Sequence, residues 1–282
     1  MEPLKNLRQD RLLVIVGATG SGKSALAMRL ALERNGEIIA ADSRTVYKGM
    51  DIGTAKPTLA EQSKVRHHLI DVVEPNQKFT ASEFQKLAKK AISDIQNRGK
   101  LPILVGGTGL YVDSIMYDFS FRLPNPQERQ RLGSLTVAEL QAEITREGLE
   151  MPQNDQNIRH LLRVLETKGE LGTKKQLRAN TEVIGIKVPD ELLMQMISQR
   201  VDKMSEQGLE AEVKGLAQVY GWESEAMKGI GYREWKKFFD GSQSLLATEK
   251  LIRQNTWQYA RRQRTWFRRN DDISWQEHNQ QS

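Results

Sequence analysis

A phosphate-binding pattern lies close to the beginning of the chain, and it reads Gly17-Ala18-Thr19-Gly20-Ser21-Gly22-Lys23-Ser24. Glycine, lysine and serine at this spacing are typical of a P-loop, which joins a strand to a helix. Its backbone N–H groups form an anion cradle, the lysine adds a positive charge, and the serine hydroxyl can ligate Mg²⁺. The pattern predicts a phosphate site without distinguishing ATP from another diphosphate.

A carboxylate, Asp42, follows the second apolar run of the chain. In an open parallel sheet, ligands bind beyond the carboxyl ends of the strands, so this residue can face the bound phosphate. A carboxylate there can act as a general base or bind Mg²⁺. The alternative is an aspartate that only caps a turn with Ser43, and position alone does not decide between the two.

These side chains need a sheet to bring them together, and five apolar runs predict its strands. The predicted strands are residues 12–16, 37–41, 69–73, 102–105 and 183–188. Helical stretches alternate with them, which favours βαβ units. We therefore predict an α/β fold with a P-loop NTPase-like parallel sheet flanked by helices.

A small helical unit is predicted to interrupt this core. Residues 121–180 are polar and carry helix signals, including a capping box of Thr136 and Glu139 and a helix over 155–167. We predict a P-loop catalytic core formed by residues 1–120 and 181–282, with 121–180 as a helical insertion domain.

Further helices are predicted within the core. One follows a capping box at Thr80, another covers about 191–207, and the last covers about 248–269. From residue 250 to 269 the chain has seven Lys or Arg and no Asp or Glu. The aromatic residues interleaved there are expected mostly in the core, and the tail after Trp275 is expected to fray.

Composition narrows the possible chemistry. The 282 residues carry a formal net charge of +6, which favours anionic partners such as nucleic acid or diphosphates. The absence of cysteine excludes disulfides, thiolate metal sites and cysteine catalysis. No apolar run is long enough to span a bilayer, so we expect no membrane association and a cytoplasmic location.

Longer segments occur in a characteristic order along nearly the whole chain. They are Asp42-Ser-Arg-Thr-Val-Tyr-Lys-Gly-Met-Asp-Ile-Gly-Thr-Ala-Lys-Pro57, His67-His68-Leu-Ile-Asp71, Gly106-Gly-Thr-Gly-Leu-Tyr111, Arg200-Val-Asp-Lys-Met204, Gly229-Ile-Gly-Tyr-Arg-Glu234 and Tyr259-Ala-Arg-Arg-Gln263. This ordered set resembles the tRNA dimethylallyltransferase (isopentenyl transferase) family. The resemblance implies transfer of a dimethylallyl group from dimethylallyl diphosphate to the N6 amine of the adenosine 3′ to the anticodon in tRNA, releasing diphosphate.

The resemblance also implies roles for individual residues. Residues 17–24 would hold the diphosphate, with Mg²⁺ at Ser24, while Asp42 would be the general base and Lys23 and Arg200 would stabilise the leaving group. The implied tRNA contacts are Asp42, Ser43, Arg44, Thr45, Thr108, Arg159, Arg163, Lys228, Gly229, Ile230, Gly231, Tyr232 and Arg233. The family also favours a monomer.

Without the resemblance, several residues have simpler interpretations. Arg200 could be a solvated charge on a helix face, and Thr108 could close a Gly-rich turn. Adjacent His67 and His68 would point to opposite faces of a strand, which disfavours a shared metal ion.

Other functions fit part of the sequence. A kinase of a small nucleotide or metabolite would share the P-loop, and a prenyltransferase acting on free adenine nucleotide would share the chemistry. The basic last helix and the predicted insertion argue against the free nucleotide, because it needs no such surface. An intact P-loop and Asp42 argue against a non-catalytic RNA-binding module.

Overall fold

Six parallel strands lie in the described part of the chain, which covers residues 11–121, 126–169 and 176–278 of a computed structural model. Their bounds are β1 Leu12–Gly17, β2 Gly36–Ala41, β3 His67–His68, β4 Leu101–Gly106, β5 Thr181–Lys187 and β6 Ser274–Glu277. The order across the sheet is β3-β2-β4-β1-β5-β6, and all neighbouring pairs are parallel. The predicted α/β fold with a parallel sheet is confirmed.

Helices connect these strands. Their bounds are α1 Lys23–Glu33, α2 Leu59–Lys64, α3 Ala81–Asn97, α4 Gly109–Met116, α5 Pro126–Gly133, α6 Val137–Arg146, α7 Ile158–Thr167, α8 Asp190–Glu206, α9 Leu209–Tyr220, α10 Lys236–Phe239 and α11 Leu245–Arg268, and a 3₁₀ turn covers Arg233–Trp235. All of β1 is buried, as expected for a strand covered on both faces. The capping boxes predicted at Thr80 and Thr136 are both present.

The third predicted strand is wrong in place and length. Only His67 and His68 pair with β2, because Leu69 and Asp71 take positive φ values of 62° and 54°. Such left-handed residues break a ladder. The chain turns instead, and the Val72 N–H group donates to the Val46 carbonyl at 2.7 Å.

The expectation of a frayed tail is also wrong for the strand β6. Residues Ser274–Glu277 add an edge strand beside β5 although their side chains are exposed. Backbone hydrogen bonds need no apolar side chains, which explains why the polar sequence gave no strand signal. Gly185 lacks a side chain, and the Trp275 ring occupies that space, since a Cβ at Gly185 would lie 2.6 Å from it.

The described chain divides into two compact units, Met1–Met116 with Leu177–Ser282, and Tyr117–Gln176. The second unit contains α5, α6 and α7 around a small core of its own. The buried residues of that core are Leu132, Leu140, Ile144, Leu161 and Leu165. Among the described residues, no helix is long and apolar enough to cross a membrane.

A buried carboxylate near the start of β2 makes stability depend on pH. Glu37 accepts hydrogen bonds from His68 at 2.7 Å and from Arg98 at 2.6 Å, and it lies 3.0 Å from Lys100. Burial opposes its charge, but these partners lower the pKa of Glu37 from 4.5 to about 2.

Glu37→Gln will therefore reduce both stability and its acid dependence. The folded-state pKa lies below the unfolded one, so the stabilisation is present above about pH 4.5 and is lost as the pH falls toward 2. We expect the variant to lose about 1–3 kcal/mol of unfolding free energy at pH 7, with a smaller further loss in acid. Urea unfolding from pH 7 to pH 3 measures this, with the exposed Glu33→Gln as the control. Parallel pH curves for Glu37→Gln and wild type would contradict it.

Candidate active site

Three loops meet at the carboxyl edge of the sheet because β2, β4 and β1 are neighbours. The P-loop follows β1, Asp42 follows β2, and Thr108 follows β4. This edge is where ligands bind in open parallel sheets. The strand order therefore brings Asp42 and Thr108 to the same edge of the sheet as the P-loop.

The P-loop has the geometry expected of an anion cradle. Gly20 and Gly22 both have a φ of 84°, a left-handed value that suits glycine, and α1 begins directly afterwards at Lys23. The Lys23 ammonium donates to the Ala18 carbonyl at 3.2 Å. The hydroxyl of Ser21 is buried and has no hydrogen-bond partner among the described residues. The loop thus contains a buried hydroxyl that no described residue satisfies.

Lys23 occupies an unusual electrostatic environment. Burial lowers its pKa from 10.5 to about 8, the charge of Asp42 opposes that shift, and Arg200 adds to it. An anionic ligand beside Lys23 would favour the charged form. The site is therefore prepared for negative charge.

Arg200 does not have the solvated position that its helix pattern allowed. It is partly buried on α8, and its guanidinium donates to the Thr54 carbonyl at 2.9 Å. Burial lowers its pKa, whereas Asp42 and Tyr232 raise it. A partly desolvated guanidinium next to a carboxylate and a P-loop lysine is placed to bind an anion.

Asp42 is held by its own loop. Its Oδ1 atom accepts the Arg44 backbone N–H at 2.8 Å, and the Ser43 backbone N–H donates to the Thr108 hydroxyl at 3.0 Å. Asp42 therefore makes the turn that the simpler interpretation predicted, yet it also faces open space on two sides. Thr108 likewise does more than close a turn, because it fixes the loop that contains Asp42.

The loop that carries Thr54 is positioned by a residue that sequence reasoning missed. Glu212 on α9 accepts the backbone N–H groups of Asp51, Ile52 and Gly53 at 2.7–3.0 Å. These bonds fix the loop whose Thr54 carbonyl receives Arg200. No local pattern marks Glu212, because its partners lie about 160 residues away in the chain.

Two cavities meet at these residues. The larger of the two, here called the basic cavity, has a volume of about 260 Å³, and the smaller, here called the P-loop cavity, has a volume of about 130 Å³. Both are lined by Thr19, Asp42, Thr54 and Arg200. The carboxylate and the guanidinium therefore lie where the two spaces join.

The walls of the P-loop cavity combine charge with apolar surface. Its charged end contains Lys23 and Ser24. Its apolar lining comprises Ala27, Met28, Ile38, Ala40, Ala55, Pro57 and Val105, and the remaining lining residues are Thr45, Glu61, His67 and Gly106. Such a cavity suits a ligand with an anionic head and a short hydrocarbon chain.

The basic cavity contains most of the predicted tRNA contacts. Its lining includes Ser43, Arg44, Lys228, Ile230, Gly231 and Arg233, together with Tyr259 and Arg262 of α11. Tyr232 differs from its neighbours, because it is 0% exposed and its hydroxyl donates to Glu212 at 2.7 Å. Its side chain therefore supports the wall of this cavity from behind. The cationic lining suits a polyanion.

The aromatic residues of α11 are not all in the core. Phe267 is buried and Trp257 packs against the main core, as expected. Tyr259 instead lines the basic cavity, and Trp266 is 46% exposed. The expectation of a core position is wrong for Tyr259 and Trp266, because their side chains point toward the loops at the edge of the sheet. Trp266 donates to Asp113 and covers Gly109.

Arg159 and Arg163 lie on α7 in the separate unit Tyr117–Gln176. Arg159 is exposed and Arg163 is partly buried. Their contact with tRNA stays a prediction. Among the described residues, no cluster of three or more His, Cys, Asp or Glu side chains could hold a metal ion, and His67 bonds the Val65 carbonyl rather than sharing a site with His68.

Comparisons with known proteins show the family of this chain. The family model "IPP transferase" matches residues 45–270. A tRNA dimethylallyltransferase of Anoxybacillus flavithermus is 40% identical, covering 94% of this chain and 90% of that protein.

Solved structures show the same fold. A tRNA isopentenylpyrophosphate transferase from Bacillus halodurans has a TM-score of 0.74 and 35% identity, covering 95% of this chain and 90% of that one. A eukaryotic dimethylallyltransferase acting on tRNA has a TM-score of 0.81 and 27% identity, covering 96% of this chain and 74% of that one. The resemblance to the tRNA dimethylallyltransferases is confirmed, and the chain belongs to the IPP transferase family.

Proposed function

We propose that this protein transfers a dimethylallyl group from dimethylallyl diphosphate to the N6 amine of an adenosine in tRNA. The observation that carries the proposal is the junction of two unlike cavities at Asp42 and Arg200. The P-loop cavity suits a diphosphate with a short hydrocarbon chain, and the basic cavity suits a nucleotide of an RNA. Donor and acceptor would thus meet beside a carboxylate.

The dimethylallyl diphosphate donor is assigned to the P-loop cavity because of the apolar residues that line it. Along β2, Asp42, Ala40 and Ile38 alternate onto one face, so an apolar floor leads away from the carboxylate. Ala27 and Met28 of α1 line the same space. The diphosphate would lie on the P-loop and the hydrocarbon chain along this floor.

The adenosine amine attacks C1 of the dimethylallyl group, and the C1–O bond to the diphosphate breaks. Positive charge grows on the allyl group and negative charge on the leaving diphosphate. Lys23, Arg200 and the P-loop N–H groups stabilise that diphosphate. Asp42 takes the proton that the amine nitrogen loses when its new bond forms, and this restores a neutral secondary amine.

Mg²⁺ is the metal that the donor chemistry suits. The Ser24 hydroxyl lies at the start of α1 in the P-loop cavity, where diphosphate oxygens would also be present. Mg²⁺ prefers oxygen ligands and is commonly held by one or two protein groups together with phosphates and water. When bound, the ion would neutralise charge on the diphosphate.

The acceptor is assigned to the basic cavity. An adenine within a stacked loop must be extruded before its amine can react. The cavity offers Tyr259 for stacking and Arg44, Lys228 and Arg233 for phosphate contact. The family resemblance selects the adenosine 3′ to the anticodon as the target. The monomeric state and the cytoplasmic location stay predictions.

One assay tests this function against its alternatives. The protein is incubated with labelled dimethylallyl diphosphate, ATP, AMP, unmodified tRNA and Mg²⁺. Label in tRNA supports the proposal, and digestion to nucleosides locates it on the adenosine N6 atom. Label in AMP would support a transferase for free nucleotide, and ATP consumption without label transfer would support a kinase.

Binding of tRNA will weaken steeply with salt, because each phosphate contact releases counterions. Arg262→Gln on the exposed edge of the basic cavity is expected to reduce the slope of log Kd against log salt by about 1. Fluorescence titrations between 50 and about 250 mM salt measure the slope. The control is Arg34→Gln near the start of β2, where the wild-type slope is expected. A flat response in the wild type would contradict a tRNA partner.

A further inference from the structure

A buried amide joins two of the active-site loops. Gln263 on α11 is 4% exposed. Its Oε1 atom accepts the Thr19 backbone N–H of the P-loop at 2.8 Å, and its Nε2 group donates to the Gly107 carbonyl at 2.9 Å. The amide therefore uses one acceptor and one donor to bridge the loops that follow β1 and β4.

The same bridge reaches the loop of the proposed base. Gly107, which accepts from Gln263, is followed directly by Thr108. Thr108 in turn accepts the Ser43 backbone N–H at 3.0 Å, next to Asp42. Three hydrogen bonds and the peptide link between Gly107 and Thr108 thus connect the P-loop to the loop that carries the carboxylate.

The hydrogen bonds of Gln263 limit what the groups that form them can do in the active site. The Thr19 N–H is occupied by Gln263, so this N–H is not part of the anion cradle. Gly107 is required at its position, because a Cβ there would lie 2.1 Å from the Gln263 Nε2 atom. Gln263 lines neither the P-loop cavity nor the basic cavity, so it acts on the reaction only through the loops.

We propose that Gln263 is a positioning residue that sets the P-loop and the Asp42 loop at their reactive separation. This inference rests on the proposed function. A neutral amide is needed because one side of it must accept and the other must donate. A misplacement of about 1 Å between reacting groups can cost about 10²-fold in rate, so the effect of losing the bridge is catalytic.

The test uses Gln263→Glu, which retains the size of the side chain and the acceptor for Thr19. In its charged form the new carboxylate presents a lone pair to the Gly107 carbonyl, and the bridge is broken. In its protonated form the carboxyl O–H can donate to that carbonyl, and the bridge is restored. Burial raises the pKa of a carboxyl group. We therefore expect the ratio of variant kcat to wild-type kcat to rise as the pH falls from 8.5 to 5.5.

The ratio removes other titrations from the comparison. The charged groups Lys23, Asp42 and Arg44 lie on the joined loops or beside them and are the same in both proteins, so their effects cancel in the ratio. Burial raises the pKa of Tyr259 above its ordinary value, so this hydroxyl keeps its proton throughout the window. A pH-dependent ratio therefore reports the carboxyl group introduced at position 263.

Two further variants complete the experiment. Gln263→Leu removes both hydrogen bonds, so its kcat is expected to fall by about tenfold to about 10²-fold at every pH, with an unchanged Kd for tRNA. Gln254→Leu on the exposed face of the same helix is the matched control and is expected to behave as wild type. Single-turnover transfer to tRNA and thermal melting are measured for each protein.

The possible results distinguish a failure of the Gln263 inference from a failure of the proposed function. A Gln263→Glu ratio that rises in acid, with Gln263→Leu uniformly slow and folded, supports the inference. A flat ratio, or near-wild-type turnover of Gln263→Leu, overturns it while the proposed function stands. A wild-type protein that never labels tRNA overturns the proposed function and this inference together.

Discussion

Asp42→Asn will lower the rate of prenyl transfer by about 10²–10⁴-fold, the range expected for loss of a general base. The asparagine retains an Oδ1 atom to accept the Arg44 backbone N–H, so the turn after β2 stays intact. What it loses is the ability to take a proton from the amine nitrogen. Single-turnover transfer from dimethylallyl diphosphate to tRNA measures the effect.

The binding steps separate this role from a structural one. Asp42 lies at the junction of both cavities, so its substitution could also change affinity. We expect the Kd for tRNA to stay within about threefold, because removing a general base chiefly lowers kcat. Asp94→Asn on the exposed face of α3 is the control and should transfer at the wild-type rate. Near-normal turnover of Asp42→Asn would remove Asp42 from the role of base.

The sequence predicted the parts of the site that depend on local chemistry. The P-loop spacing, the apolar runs of β1, β2 and β4, and the capping box at Thr80 are all short-range signals, and all are present. Parallel strands place their carboxyl ends together, so the position of Asp42 beside the P-loop followed from the strands, whereas the role of Thr108 came from the family resemblance.

The parts that escaped prediction are held by distant partners. Glu212 reaches a loop about 160 residues away, and Gln263 reaches Thr19 across 244 residues. Each is an ordinary polar residue on a helix. Its role in positioning a loop depends on which backbone groups the folded chain brings next to its side chain. The helix pattern alone suggested a solvated Arg200 for the same reason, since its Thr54 partner is 146 residues away, whereas the family resemblance implied its role at the diphosphate.

The backbone conformation of residues 69–73 explains why the strand predicted there is wrong. The run 69–73 is apolar enough for a strand, but positive φ values at Leu69 and Asp71 turn the chain. That turn brings Asp71 to within 2.6 Å of the Lys56 ammonium, which also binds Asp51. These ion pairs of the buried Lys56 ammonium accompany the turn, and they link residues of the loop between Asp42 and α2.

The charge of Lys23 should make donor capture depend on alkaline pH. Its pKa is lowered to about 8 in the donor-free protein, so the ammonium form declines as the pH rises through that value. The diphosphate binds the charged form, and kcat/KM reports titrations of the free enzyme. We therefore expect kcat/KM for dimethylallyl diphosphate to be level below about pH 8 and to fall up to tenfold per pH unit above it.

The variant Lys23→Met tests whether Lys23 causes the fall of kcat/KM at alkaline pH. Losing one positioned cation at the leaving group is expected to lower kcat/KM by about 10²–10³-fold, and the remaining activity should lack the step near pH 8. Initial rates from pH 6.5 to 9.5 at saturating tRNA measure both effects, with the exposed Lys64→Met on α2 as the control. If the alkaline step persisted in Lys23→Met, another group would be titrating. If wild type showed no step, Lys23 would stay charged throughout, and the attraction of Asp42 would outweigh the burial and the repulsion by Arg200 that lower its pKa.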